Sequence, residues 1–437
     1  MCLPACGTRS WWWRWAWWSC CCSSRIRATS TSMIEGRRPM TGPLAGIRII
    51  DCSQIVSGPM ACQMLGDQGA EVIKVESPGG DPVRSLGPRK ADLSSMFIAV
   101  NRGKQGLCLD LKSPDGIAVL ETLVKTADVL VENFRPGVLA RLGLDWERLH
   151  ALNPRLIYCS ITGFGPDGPY QNVRVYDPVI QAVSGIAASQ VDKEGNPGLV
   201  RHLVADKVTA LTAAQAITAA LFRRERAKVH GGGQGERIEV AMLDAAIAFN
   251  WPEGMYNYSF IDDAPAAWPE YGAQMRLWKA ADGQVAIGAL QDAEFVALTR
   301  SLGREDLAAD ERFRSSAGRI KHQREWAPQV SAEIARRSRA ELMDGFVAQG
   351  AVGGPVVHLA DVPDDAQVQH NGICIEVAHS DAVGRVRQAR PPARFGQPLD
   401  PVGPAPHLGE HGRQILAAVG YDAAAIAALV DKGVLKG

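Results

Sequence analysis

The sequence predicts an α/β fold built on a doubly wound parallel sheet. Three observations carry that expectation: a complete strand, helix and strand unit over residues 44–76, a polar elbow at the carboxyl end of its first strand, and continued alternation of short apolar runs with helical patterns up to Val240. Sheets of this kind bind their ligands outside the carboxyl ends of the strands.

The first unit reads as a strand through Ile47, Ile49 and Ile50, an elbow of Ser53, Gln54, Ser57, Gly58 and Pro59, a short helix through Met64, and a strand at Val72, Ile73 and Val75. A right-handed crossover sets the helix N-terminus beside the end of the first strand. Pro59 suits the first helical turn, and the N–H groups after Ser57 and Gly58 would face an anion such as a phosphate. Residues 107–109 then read as a strand, Ser113 and Pro114 start a helix through Thr126, and residues 129–131 and 156–160 read as strands. An Ala-rich helix runs from Asp206 to Arg223, and a glycine-rich turn (Gly231, Gly232, Gly233, Gly235) introduces a strand at residues 237–240. Past Trp251 the texture changes to frequent Pro, Asp, Tyr and Trp, followed by a strand at 284–287 and a charged stretch of helical period at 319–348. That shift predicts a smaller domain inserted at residues 255–345. Residues 391–406 hold six Pro and read as extended.

The chain has 437 residues, 46% of them hydrophobic, enough for one large core and a smaller second one. Residues 1–39 stand apart, with six of the eleven Trp, five of the ten Cys and a single acidic residue. Their apolar run at 11–18, interrupted by Arg14, is too short to span a bilayer, while residues 25–32 have the Arg and Ser of a transit peptide. The plainer reading is a non-native or disordered extension ahead of a start at Met40 or Met33. Without those residues the chain carries a net charge of −5. That balance argues against a nucleic-acid or membrane-surface partner. Cys52, Cys62, Cys108, Cys159 and Cys374 show no CxxC spacing, which predicts a reduced, cytoplasmic protein without structural zinc.

Residues 163–168 (GFGPDG) formally match G-x-G-x-x-G, but Pro166 and Pro169 hold them as a loop where a dinucleotide fingerprint needs a helix. His407 and His411 have the spacing of zinc ligands on a helix but lack the HExxH pattern, and read as a solvated helix start. Asp206 at the head of an apolar helix is open to two readings. It is a helix N-cap, or a carboxylate held ionised by the helix dipole and able to act as a nucleophile or base. Asp177 reads as a turn or cap residue ahead of Pro178. Lys112, Arg135, Arg141 and Arg174 are each ordinary surface cations, but together they would hold the phosphates of a large anion. Ile55, Val56, Phe134 and Leu142 would supply an apolar wall for its aromatic base.

Residues 46–76, Asn133-Phe134-Arg135-Pro136-Gly137, Thr162-Gly163-Phe164-Gly165, residues 203–209 and Leu408-Gly409-Glu410-His411 together resemble the family III CoA-transferases, the CaiB/BaiF family. The resemblance runs from about Met40 to the C-terminus. It implies an interlocked homodimer whose Rossmann-like large domain is built from both ends of the chain (residues 40–254 and 346–437), around the smaller inserted domain. It also implies a CoA-transferase that moves CoA from an acyl-CoA donor to a carboxylic acid acceptor, with Asp206 carrying in turn an acyl anhydride and a CoA thioester. No tightly bound cofactor is implied; CoA and acyl-CoA are substrates. The CoA contacts carried over are Ile55, Val56, Ser57, Leu109, Lys112, Asn133, Phe134, Arg135, Arg141, Leu142, Arg174, Val175 and Tyr176. Ser77 stands where some relatives have an arginine. Tyr176 stands where the racemases of the family have a histidine base, which disfavours an isomerase. The glycine run of the formyl-CoA and oxalate branch is missing between Trp251 and Gln284, so oxalate is not assumed as acceptor. An acyl-CoA isomerase or racemase of the same fold, and a catalytically silent CoA-binding protein, are the alternatives.

Overall fold

Short apolar runs alternating with helices close into one parallel sheet, because each intervening helix returns the chain to start the next strand in the same direction. The structure, a computed structural model, describes residues 41–192, 194–228, 233–263 and 265–437. The extension at residues 1–39, and Gly231 and Gly232 of the glycine-rich turn, lie outside those residues. The strands are β1 (Arg48–Asp51), β2 (Glu71–Glu76), β3 (Gln105–Leu109), β4 (Val129–Glu132), β5 (Ile157–Thr162) and β6 (Arg237–Ala241). They lie in the order β3-β2-β1-β4-β5-β6, all parallel. The chain thus starts at the centre and winds outward first one way and then the other. A crevice is left where the winding reverses, between β1 and β4.

Strand alternation divides the core between the two faces of this sheet. Ile49, Val72, Val129, Ile157 and Cys159 pack with helices α1 (Ser57–Gly66), α4 (Val204–Lys228) and α5 (Met242–Gly254). Ile50, Ile73, Leu107 and Leu130 face the other way, against α2 (Pro114–Val124). A short helix, α3 (Asp177–Val183), precedes α4. The long helix begins two residues earlier and ends later than the Ala-rich pattern indicates. Its first residues, Val204 and Ala205, are themselves apolar and pack into the core.

A second sheet of β7 (Leu277–Ala280), β8 (Gly283–Gly288) and β9 (Val352–Pro355) is antiparallel and has its own core of Trp278, Val285, Phe295, Val330 and Phe346. β9 pairs with β8, so this sheet reaches past residue 345, the boundary that composition indicates. The helices beside it are α6 (Asp292–Ser301), α7 (Gln323–Ala335) and α8 (Arg339–Gln349). The charged helical stretch is therefore several helices, interrupted at His322 and again before Ser338, whose side chain forms a capping box with Glu341. A hairpin of β10 (Cys374–Ala378) and β11 (Arg385–Ala389) follows, and residues 391–406 are neither helix nor strand. They lead to α9 (Gly412–Ala418), α10 (Ala423–Asp431) and β12 (Leu435–Lys436), which pairs antiparallel with the outer edge of β3.

The two histidines before α9 are not a solvated helix start. His407 bonds Asp92 through Nδ1 and Ser380 through Nε2 at 2.8 Å, and His411 Nδ1 accepts the Gly106 N–H at 3.1 Å. They tie the returning C-terminal segment to β3 and to the hairpin. The tie joins residues some three hundred positions apart, which local spacing does not encode.

Candidate active site

The elbow after β1 is fixed from several directions. Gln54 donates its N–H to Asn133 Oδ1 at 2.7 Å, and Asn133 Nδ2 returns a bond to the Gln54 carbonyl at 2.8 Å, so the two residues lock the crevice between β1 and β4. Ile55 has φ +70°, a left-handed conformation that a β-branched side chain adopts only at a cost of about 1–3 kcal/mol. Its N–H points to both carboxylate oxygens of Asp81, each at 3.2 Å. Gly58 packs against Ser53 so closely that a Cβ would lie 2.2 Å from the serine side chain, which admits only glycine. Beneath the elbow lies a fully enclosed group of charges. Lys74 Nζ is 3.1 Å from Asp81 and 3.9 Å from Asp51, and Lys104 Nζ is 2.7 Å from Asp51. Burial works against the charged forms, yet Lys104 and Lys74 hold the Asp51 carboxyl below its usual range, and Asp51 and Asp81 hold the Lys74 ammonium above its own.

Asp206 lies in the first turn of α4, inside the helix, so it is not the cap that one reading of the sequence offers. The residue is 7% exposed, and the N–H and hydroxyl of Ser57 at the start of α1 favour its ionised form. Asp206's N–H donates to Asp177 Oδ2 at 3.0 Å. Burial and then the neighbouring Asp177 charge push the Asp206 carboxyl up to about 6, against the Ser57 donors, which favour ionisation. Asp177 is fully buried at the head of α3 and is held by Gln181 Nε2 at 2.6 Å. Gln181 is in turn fastened to Val200 and His202 through their backbones. The His202 residue is itself exposed and outside the cleft lining.

A cleft of about 780 Å³ opens over the crevice, a size suited to a large ligand. Of the residues singled out from sequence, Ile55, Ser57, Asn133, Phe134, Arg135, Arg141, Arg174, Val175, Tyr176 and Asp206 line it. Val56 is buried at the start of α1, Leu109 is buried in β3, Lys112 is exposed beyond that strand, and Leu142 packs on the core; none of these four lines the cleft. Of the proposed apolar wall, only Ile55 and Phe134 face it. Arg135, Arg141 and Arg174 are exposed, and none forms an ion pair with a described acidic residue. The GFGPDG segment is a loop after β5, and Gly163, Phe164 and Gly165 form part of the wall. Gly163 is required there, because a Cβ would lie 2.3 Å from Val175. Among the described residues, no group of three or more His, Cys, Asp or Glu is placed to hold a metal ion, and no helix is long and apolar enough to cross a membrane.

The sequence reading misses two features of this site. One is Asp177, whose apparent role as a local cap concealed its bond to Asp206. The other is the charge group under the elbow, for which a signal existed: Lys74 interrupts an apolar strand run, and a cation at a buried strand position requires a partner.

An open parallel sheet with an arginine-lined cleft at its switch point defines a doubly wound α/β protein suited to a large anionic ligand. The chain belongs to CoA-transferase family III, whose model matches residues 44–412, and it is an enzyme of that class. It is 37% identical to the succinate-glutarate CoA-transferase of Agrobacterium fabrum over 86% of this chain and 95% of that one. With the mouse succinyl-CoA:glutarate CoA-transferase it shares 34% identity, over 90% of each chain. The crystal structure of a CaiB/BaiF family protein from Brucella suis superposes with a TM-score of 0.75 at 33% identity, covering 86% of this chain and 99% of that one.

Proposed function

We propose that the protein moves CoA from an acyl-CoA donor to a carboxylic acid through covalent adducts on Asp206. The observation that carries this reading is a nearly buried carboxylate in the first turn of a helix, its ionised form favoured by the Ser57 N–H and hydroxyl, in a cleft lined by three exposed arginines. In the proposed sequence an Asp206 oxygen attacks the thioester carbonyl carbon, the C–S bond breaks, and CoA leaves as the thiolate. The thiolate then attacks the Asp206 carbonyl carbon of the resulting anhydride and expels the donor acid as its carboxylate. The acceptor carboxylate attacks the aspartyl-CoA thioester to form a second anhydride and release the thiolate. Attack of that thiolate on the acceptor's acyl carbon yields the new acyl-CoA and returns Asp206 as a carboxylate. Each anhydride and thioester is an activated acyl group, so no external energy source is needed.

Arg135, Arg141 and Arg174 would hold the CoA phosphates, with Asn133, Phe134, Val175 and Tyr176 along the ligand and Ile55 and Ser57 at its reacting end. Small dicarboxylic acids are the acceptors to test first, since the relatives named above carry succinate and glutarate in their names. We also propose an interlocked homodimer, with a small domain from about residue 255 to the end of β9 at Pro355 between the two parts of the large one. Exposed Val183, Leu211, Phe222, Phe249 and Trp251 on α3 to α5 offer apolar surface for a second copy.

The test is a panel of acyl-CoA donors and acids followed by mass spectrometry, with hydroxylamine added during turnover. Exchange together with a hydroxamate on the Asp206 peptide is expected, and Asp206→Ala should abolish exchange while still binding CoA. Residual exchange near the wild-type rate in that variant would reject Asp206 as the nucleophile.

A further inference from the structure

We propose that Asp81, paired with Lys74, is a positioning residue for Asp206: it holds the Ile55 turn, and that turn aims the Ser57 N–H and hydroxyl at the Asp206 carboxylate. The inference rests on the reading of Asp206 as the nucleophile.

The geometry runs in one chain of contacts. Both Asp81 oxygens lie 3.2 Å from the Ile55 N–H, and Oδ1 also accepts the Val83 N–H at 3.0 Å, which fixes the carboxylate to its own loop. The Asp81 N–H donates to Glu76 Oε2 at 2.9 Å, and Arg84 clasps the same Glu76 carboxylate at 2.7 Å. Lys74 Nζ bonds Asp81 and also the Ser53 carbonyl, so a single buried cation joins the brace to the residue where the elbow begins. Ile55 is thereby held in a left-handed conformation that its side chain disfavours. Ser57 follows two residues later as the first residue of α1, so the direction of its two donors depends on the turn.

The brace is more elaborate than the fold requires. An elbow that only had to connect β1 to α1 could place glycine at the left-handed position and dispense with buried charge. Ile55 instead presents a branched apolar side chain to the cleft, and the conformation is held by a carboxylate whose own charge is balanced by Lys74. The groups facing Asp81 are Lys74, Glu76 and Arg84, with Asp51 and Lys104 on the far side of Lys74. Those facing Asp206 are Ser57 from α1 and Asp177 from α3, with Tyr176, Arg174, Arg135 and Arg141 along the same cleft. Ser57, two residues after the braced turn and in the same cleft as Asp206, connects the two sets. Loosening the brace should therefore act on Asp206 by displacing the N–H and hydroxyl that favour its ionised form.

The experiment measures kcat/KM for CoA exchange against pH in wild type, Asp81→Asn and Asp81→Asn with Ile55→Gly, with circular dichroism to confirm folding. In Asp81→Asn the acid limb should rise by about one pH unit, so that kcat/KM at pH 6 falls roughly fivefold while the loss at pH 9 is much smaller. Glycine at position 55 adopts the left-handed turn unaided, so the double variant should bring the limb back towards the wild-type position. A role confined to stability would lower activity evenly across pH and give no such return. Should Asp81→Asn fail to fold, Asp81→Glu serves, since it keeps a carboxylate for Lys74 but displaces the acceptor of the Ile55 N–H. A folded variant whose acid limb stays at the wild-type position overturns the inference. If wild type itself gives no hydroxamate on the Asp206 peptide, the nucleophile reading fails and the inference goes with it. A hydroxamate in wild type beside an unmoved limb in the variant rejects the brace alone.

Discussion

Replacing Asp206 by Asn should stabilise the protein at neutral pH while removing its activity. The carboxyl is pushed up to about 6 in the folded state by burial and by Asp177, whereas an unfolded chain returns it to about 3.9. The folded state therefore holds this proton more tightly, the reverse of a carboxylate that gains a cationic partner. Below about pH 4 both states are protonated and the group contributes nothing to the pH dependence. As pH rises through the window between about 4 and 6, wild type loses stability, reaching a deficit of about 3 kcal/mol above pH 7. Asparagine has no charge to lose, so the variant should exceed wild type by up to that amount at pH 8 and by roughly half of it at pH 5. With an unfolding entropy of about 2 cal/mol/K per residue, 3 kcal/mol corresponds to a rise in Tm of roughly 3–4 °C for a chain this long. Thermal unfolding at the two pH values, with ligand absent, reads the effect. An equal shift at pH 5 and pH 8, or none at pH 8, would refute the idea that the ionised carboxylate carries an electrostatic cost in the folded state.

Other outcomes follow from the same geometry. Asp177→Asn removes the charge that helps raise the Asp206 carboxyl, so the acid limb of kcat/KM should move below about pH 6, the direction opposite to that of the brace variants. An unmoved limb in a folded Asp177→Asn protein would mean that burial alone sets the titration. Arg135→Ala and Arg174→Ala should each raise KM for acyl-CoA about tenfold with little change in kcat, and should weaken its salt dependence, because each removes one charge-assisted phosphate contact. A loss confined to kcat would place those guanidiniums at the reacting acyl group.

The order of strands and helices was legible because each element is short, apolar and separated by a helix, so local periodicity alone specified β1 to β6. The cleft was legible where residues sit at strand ends: Asn133, Phe134 and Arg135 after β4, and Ser57 after the β1 elbow. Leu109 ends a strand and Lys112 follows it, but β3 lies two strands from the crevice on the β2 side, and neither lines the cleft. Strand position within the sheet, which local pattern does not encode, decided between them. Asp177 is concealed for a related reason. Ahead of Pro178 it looks like a cap for its own helix, whereas its Oδ2 accepts a bond from Asp206, 29 residues further on. The histidines before α9 look solvated from local pattern because Asp92 and Gly106 lie some three hundred residues away and Ser380 lies in the preceding hairpin.

The proposed transfer asks Asp206 to act in two opposed ways, since it must attack a thioester and later depart as a leaving group. A carboxylate near the ordinary aspartate pKa is a good leaving group but a weak nucleophile, while one shifted far above neutrality would be protonated and idle. At about 6 the group is mostly ionised at pH 7 yet more basic than an exposed aspartate. The environment reaches that balance with opposing influences: burial and Asp177 raise basicity, and the Ser57 N–H and hydroxyl stabilise the anion that must form each time Asp206 departs. Two fixed donors can serve the departing carboxylate only if they are already in place when the bond breaks. This is why the rigidity of the elbow matters to the chemistry: a turn free to relax would let Ser57 drift and leave burial as the dominant influence on Asp206.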